Sequence, residues 1–318
     1  MNIEEDFYQN LIHRVGKDHL IKRLIRQVNF AAKFYAKGGY TSFHIENMEL
    51  IYIFLKYFLK LIGLYKRGLK NSVDYKIEQI PVYLKNLPPQ FNNFKILQLS
   101  DMHANMIYDE GRGLINTLKK LKADLCILTG DYRFLTHGSY KEAIEQTKEI
   151  VKAIDATHGF WGILGNHDFI EFVPGLEDSG IKILLNESVK VQKDGAEFYL
   201  AGIDDAHLYS CHDIYKALSG VPSKAITILL SHTPETFVEA NEAGVDYLVC
   251  GHTHGGQICL PGGVHIFANA KCPRKLCSGL WRYKNLLGYT SRGTGSSSLN
   301  VRFFCPPEIT IHELKSTI

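Results

Sequence analysis

The stretch CGHTHGGQICLPGG, residues 250–263, sets His252 and His254 one position apart in a glycine-rich segment, directly after the apolar run at 247–250. Alternate residues of an extended strand point to opposite faces. In a tight loop, however, a His-x-His pair can bring both imidazoles onto one centre or onto two adjacent ones. Taken alone, the pair reads first as two solvated histidines in a polar turn. Its meaning depends on what other ligands the chain supplies.

Those ligands follow a pattern. KILQLS (95–100) is followed by Asp101 and His103 in DMH, and LCILTG (125–130) by Asp131. FWGIL (160–164) is followed by GNHD, with Asn166, His167 and Asp168; ITILLS (226–231) is followed by His232; YLVC (247–250) leads into GHTH. Five apolar runs of strand length thus each end in a carboxylate, amide or imidazole. One such polar residue is ordinary at a strand end. Five together, all with metal-ligand chemistry, point to a site at the carboxyl ends of the strands, where open α/β sheets bind ligands.

The intervening segments agree. Helical periodicity fits 111–121, 140–156, 211–218 and 234–243, and further strand runs fall at 75–84, 181–185 and 198–203. Strand–helix alternation argues for an α/β fold. The C-terminal part reads as β-rich, with strands expected near 286–291, 301–304 and 308–314.

The blocks DMH, GD, GNHD, SH and GHTH, in this order and spacing, resemble the calcineurin-like metallophosphoesterase superfamily from about residue 95 onward. GGQICLPGG, GLW, GYTSRGTGSS and CPPEI resemble its bacterial phosphodiesterase branch with an N-terminal membrane-directed segment. The resemblance implies a β-sandwich flanked by helices with a dinuclear metal site at one edge. It implies that Asp101, His103 and His254 hold one metal, that Asn166, His232 and His252 hold the other, and that Asp131 bridges them. Cleaving a phosphate ester needs a nucleophile at neutral pH and a clamp on the reacting oxygens, and two cations about 3.5–4 Å apart supply both. An O/N donor set without thiolate favours two divalent ions, Mn²⁺ first, with Fe or Zn²⁺ as alternatives. The resemblance implies that His167 protonates the leaving oxygen or steadies the transition state, with Asp168 placed to orient it. Arg133 and His137, close to the bridging position, are expected to touch substrate.

The 318 residues carry 36 Lys/Arg and 33 Asp/Glu, but unevenly: residues 1–92 hold 14 basic against 8 acidic side chains, and the remainder 22 against 25. The basic part suits an anionic partner. One helical pattern runs over 18–37 until Gly38 and Gly39; a second, 50–65, is almost wholly apolar except for Lys56 and Lys60. Sixteen residues are short for a bilayer, which needs about 20. A wide apolar face with a thin basic stripe suits a helix lying in a membrane interface. The expected division is therefore a basic amphipathic helical segment, 1–75, and a catalytic domain, 76–318. An aromatic-rich apolar face is unlike a nucleic-acid groove, so no nucleic-acid partner is expected.

Seven cysteines, an odd count, form no secreted disulfide framework, and CPRKLC (272–277) lacks the paired CxxC of a structural zinc site. The acidic start MNIEED is the reverse of a signal-peptide n-region. Peripheral attachment to the cytoplasmic face of the inner membrane is the expected location. A phosphorylated, lipid-linked substrate is expected, and the resemblance to pyrophosphatases of similar motif order implies UDP-2,3-diacylglucosamine hydrolysis in lipid A synthesis as the specific reaction. The alternatives are a soluble-substrate phosphodiesterase or nuclease, or a non-catalytic metal-binding scaffold.

Overall fold

A computed structural model of the chain describes residues 3–36, 49–136, 139–265 and 267–317; Gly38, Gly39 and His137 lie outside the described residues. Helices α1 (Ile3–Val15), α2 (Lys17–Ala36), α3 (Glu49–Leu61) and α4 (Tyr65–Asn71) come first. The strands follow as β1 (Lys76–Lys85), β2 (Lys95–Leu99), β3 (Lys122–Ala123), β4 (Leu125–Leu128), β5 (Asp155–Ala156), β6 (Phe160–Gly162), β7 (Ile181–Ile183) and β8 (Glu187–Lys193). They continue as β9 (Ala196–Gly202), β10 (Thr227–Leu230), β11 (Tyr247–Cys250), β12 (Cys259–Leu260), β13 (Val264–His265), β14 (Gly279–Tyr283), β15 (Leu286–Thr290) and β16 (Glu308–Thr317).

Two six-stranded sheets result, in the orders β1-β16-β2-β4-β6-β7 and β14-β15-β11-β10-β9-β8. Their central pairs, β2 with β4 and β10 with β11, are parallel. Central parallel strands are covered on both faces, so they carry continuous apolar runs rather than alternation. LCIL, TILL and YLVC are accordingly buried at every residue. Period-two geometry then sorts the side chains. Leu125, Ile127, Ile228, Leu230, Tyr247 and Val249 fill the layer between the sheets. Cys126 and Leu128 face one outer layer, while Leu229, Leu248 and Cys250 face the other. The result is a sandwich flanked by helices, as the family resemblance implies. Pro81 sits in edge strand β1, where its missing N–H costs no ladder bond.

Two expectations need correction. Residues 301–304 form no strand; a single bridge joins Ile258 to Phe303. The first two helices are docked on the body. Leu11, Val15 and Leu20 belong to the outer core layer. Arg14 donates to Glu187 Oε2 at 2.8 Å and to the Ile183 carbonyl at 2.6 Å. Arg23, fully buried, pairs with Asp204 at 3.3 Å. Two cations of the basic N-terminal part, Arg14 and Arg23, are thus used inside the fold.

Candidate metal centre

The loops leaving β2, β4, β6, β10 and β11 meet at one end of the sandwich. Asp101, His103, Asp131, His252 and His254 all hold left-handed backbone, with φ between 41° and 71°. Five non-glycine residues in that region mark loops bent by function rather than by propensity. Gly251 supplies the close approach: a Cβ there would lie 1.8 Å from Ser100 Oγ. Gly255 and Gly256 take positive φ, so the chain reverses directly after His254.

The turns gather the expected ligands into two buried groups, Asp101–His103–His254 and Asp131–His232–His252. In the first, His103 Nε2 lies 3.2 Å from His254 Nε2, which lies 3.6 Å from Asp101 Oδ1. In the second, His232 Nε2 is 3.3 Å from Asp131 Oδ2 and 2.9 Å from Asn166 Oδ1. Asp131 Oδ2 also stands 4.0 Å from His103 Nε2, so this carboxylate lies between the groups, where a bridging ligand belongs.

The donor set fits cations. His103 Nδ1 and His232 Nδ1 each donate to a backbone carbonyl, of Arg133 and Thr129, both at 2.7 Å. Nε2 of each ring is therefore the atom directed into the site, the orientation a metal ligand needs. His232 Nε2 then faces only oxygens, an arrangement that calls for a positive charge. Burial opposes charging His232, yet the Asp131 and Asp101 carboxylates lift it well above the ordinary histidine range, the proton standing where a cation would. Burial lowers His103 to about 4 and, with His103 and Arg302 nearby, depresses His254, keeping both as neutral ligands. Burial, reinforced by the Asp131 charge, pushes Asp101 up to about 6. Burial opposes ionisation of Asp131 as well, but the surrounding imidazoles hold it well below the usual carboxylate range.

His167 points Nε2 toward the site, 3.9 Å from Asp131 Oδ2, while Nδ1 donates to the Phe134 carbonyl. Its backbone N–H donates to Asp131 Oδ1 at 2.9 Å. Asp168 does not take the expected role as the group that orients this ring. Its carboxylate accepts the backbone N–H of Asp131 at 2.7 Å, Tyr132 at 3.0 Å and Gly165 at 2.9 Å, stapling two ligand loops together. Arg133 also departs from expectation. At 1% exposure it is sealed under Phe169 and Phe172 and donates to the His167 carbonyl at 3.2 Å, which makes it a support for the loop rather than a substrate contact. The GTGSSS turn spends its donors on the protein: Thr294 and Gly295 bond the carbonyls of Ser100 and Asp101.

Two neighbours went unread in the sequence. The buried Arg302 donates to the carbonyls of Gly295 and Arg292 at 2.5 and 2.8 Å and lies 3.4 Å from His254 Nδ1. A lone cation in the apolar VRFF was the available signal. His207 pairs with Glu235 at 3.0 Å and packs its ring 4.2 Å from that of His252.

Residues 94–256 match the sequence family described as calcineurin-like phosphoesterase. The chain belongs to that family. It is a hydrolase of phosphoester bonds, and its two ligand groups are those of a divalent-metal enzyme. The chain is 28% identical over 261 residues to the uncharacterized metallophosphoesterase YkoQ of Bacillus subtilis, covering 79% of this chain and 94% of that one. It is 28% identical over 236 residues to the phosphodiesterase YaeI of Escherichia coli, covering 70% and 82%. Among solved structures, the calcineurin-like phosphoesterase YfkN from Bacillus subtilis overlaps 63% of this chain and 81% of that chain, at 18% identity and a TM-score of 0.39.

Proposed function

We propose that this phosphoesterase cleaves the pyrophosphate bond of a lipid-linked nucleotide, UDP-2,3-diacylglucosamine being the specific substrate, at the cytoplasmic face of the inner membrane. The observation that carries this reading is a cleft of about 170 Å³ in which His252 and His254 share the walls with Leu55, Ile258, Phe267 and Leu299. A diphosphate head with acyl tails matches a lining that joins two ligand histidines to apolar side chains.

Asp101, His103 and His254 would hold one divalent ion, and Asn166, His232 and His252 the other, with Asp131 shared between them. Bound Mn²⁺ would neutralise the diphosphate and make water a competent nucleophile near neutral pH. The remaining chemistry belongs to the chain. The Nδ1–H of His167 is committed to the Phe134 carbonyl, so its exchangeable proton sits on Nε2, the atom facing the site. From there it would pass to the departing phosphate oxygen. Asp168, through three backbone N–H groups, keeps the loops of Asp131 and His167 in register. The apolar walls would hold the acyl chains and position the head, so removing the chains lowers kcat as well as affinity.

The test compares UDP-2,3-diacylglucosamine with UDP-N-acetylglucosamine under Mn²⁺. A large preference in kcat/KM for the acylated substrate supports the reading. Equal values would leave a phosphodiesterase of soluble substrates.

A further inference from the structure

Helix α3 is built inside out. Its inward residues Leu55 and Leu59 pack on Leu299, Val301, Ile258 and Phe303. Its outward face is apolar as well: Phe54 is 70%, Tyr57 64% and Leu61 85% exposed, with Ile53 beside them. Phe54 and Phe58 stack at 6.2 Å between ring centroids, which makes the exposed apolar surface continuous along the helix. A solvent-facing helix ordinarily places charge there. Contiguous exposed apolar surface of this kind marks a binding site.

The charges around the patch have one sign. Residues 53–71 hold Lys56, Lys60, Lys66, Arg67 and Lys70 and no carboxylate. Lys60 lies along the rings of Tyr57 and Tyr65, its ammonium 5.4 and 5.5 Å from their centroids, which places cations at the margin of the apolar face. Further exposed apolar groups, Leu260, Val264, Phe267 and Phe304, come from the neighbouring hairpin and loop. Phe267 and Leu55 line the cleft that contains His252 and His254. Among the described residues no helix is long and apolar enough to cross a membrane. An apolar helix face rimmed by cations, too short to span, is the composition of an interfacial helix on anionic lipid.

We propose that the outward face of α3, with Ile53, Phe54, Tyr57 and Leu61 edged by Lys60, Lys66 and Arg67, docks the protein onto an anionic lipid surface, with the metal cleft at the margin of the contact. Helix α2, by contrast, directs Arg23 into the body. Substrate that resides in the bilayer then meets the cleft without leaving the interface.

The test is co-sedimentation of the full chain with vesicles of phosphatidylcholine containing phosphatidylglycerol, or of phosphatidylcholine alone, at 0.15 M salt. Wild type should bind the anionic vesicles. Phe54→Ser/Tyr57→Ser/Leu61→Ser should bind at least about tenfold more weakly, with an unchanged thermal midpoint because these side chains face solvent. Lys60→Glu/Lys66→Glu should weaken binding to the anionic vesicles alone. Wild type left in the supernatant, or a triple variant that binds equally, overturns the proposal. So does a wild-type dimer without vesicles that the triple variant converts to monomer, which would assign the face to a second copy. The readout is vesicle binding, so it is independent of any hydrolysis assay; Leu61→Glu alone serves if the triple variant misfolds.

Discussion

Replacing Arg23 by Met should destabilise the whole catalytic body, although Arg23 lies about 80 residues before the first ligand. Its guanidinium is fully buried, pairs with Asp204 at 3.3 Å, donates to the Asp168 carbonyl at 2.8 Å and stacks 3.7 Å over the Tyr209 ring. Met fills the stem's volume but leaves the Asp204 carboxylate buried without the guanidinium, with the His19 ring at 3.0 Å still beside it. Breaking one side of a buried pair costs about 3–5 kcal/mol. At about 2–4 °C per kcal/mol this is a fall in Tm on the order of 10 °C. Urea unfolding of Arg23→Met, Asp204→Asn and the double variant measures the coupling directly. Asp204→Asn should restore at least about 1 kcal/mol in the Met background, because the stranded charge is gone. A single-variant loss below about 1 kcal/mol, or no coupling, would refute the reasoning and return α2 to the status of an appended segment. By the same logic, a chain lacking residues 1–70 loses Leu11, Val15 and Leu20 from the core and should not fold stably.

Asp131→Asn keeps the acceptor for the His167 N–H but removes the charge between the two ligand groups; metal content should fall and turnover drop on the order of 10³-fold or more, checked by elemental analysis and p-nitrophenyl ester hydrolysis. His167→Gln should retain metal and lose about 10²–10⁴-fold in turnover, the loss shrinking for p-nitrophenol, a leaving group that needs little protonation. His312, buried between the Tyr247 hydroxyl at 2.8 Å and Gln98 at 3.0 Å, is lowered by burial to about 3. Its folded pKa lies below its unfolded one, so between about pH 6.5 and 3 the unfolded chain binds the extra proton and stability falls with acid. His312→Asn should therefore flatten the pH dependence of unfolding by up to about 1.4 kcal/mol per pH unit in that window; identical slopes would contradict the assignment.

The ligands were legible in the sequence because each stands at the end of an apolar run, and a strand's end fixes where the next residue lies. The parallel strands were legible for the same reason, since burial on both faces leaves no polar position in LCIL or YLVC. What a linear pattern does not carry is side-chain direction. Arg133 and Asp168 sit in the right motifs, but one turns under Phe169 and the other turns to the backbone N–H groups of its own loop and of the loop after β4. Residues 301–304 have strand composition, yet Val301 is pinned by α4, where a Cβ on Gly68 would stand 2.7 Å from its own Cβ, so packing overrides propensity. Helix α1 escaped notice because Leu11 and Val15 are too few for a periodic signal and draw their partners from the distant body.

The central claim is that the strand-end loops hold two ions through one shared carboxylate. Calorimetric titration of metal-free protein with Mn²⁺, with hydrolysis of bis(p-nitrophenyl) phosphate followed across the same points, tests it most directly. The account predicts two ions per chain in wild type, activity rising with the second, and loss of tight binding at both positions in Asp131→Asn. A chain that reaches full activity with one ion, or an Asp131→Asn variant that still binds two, would contradict it.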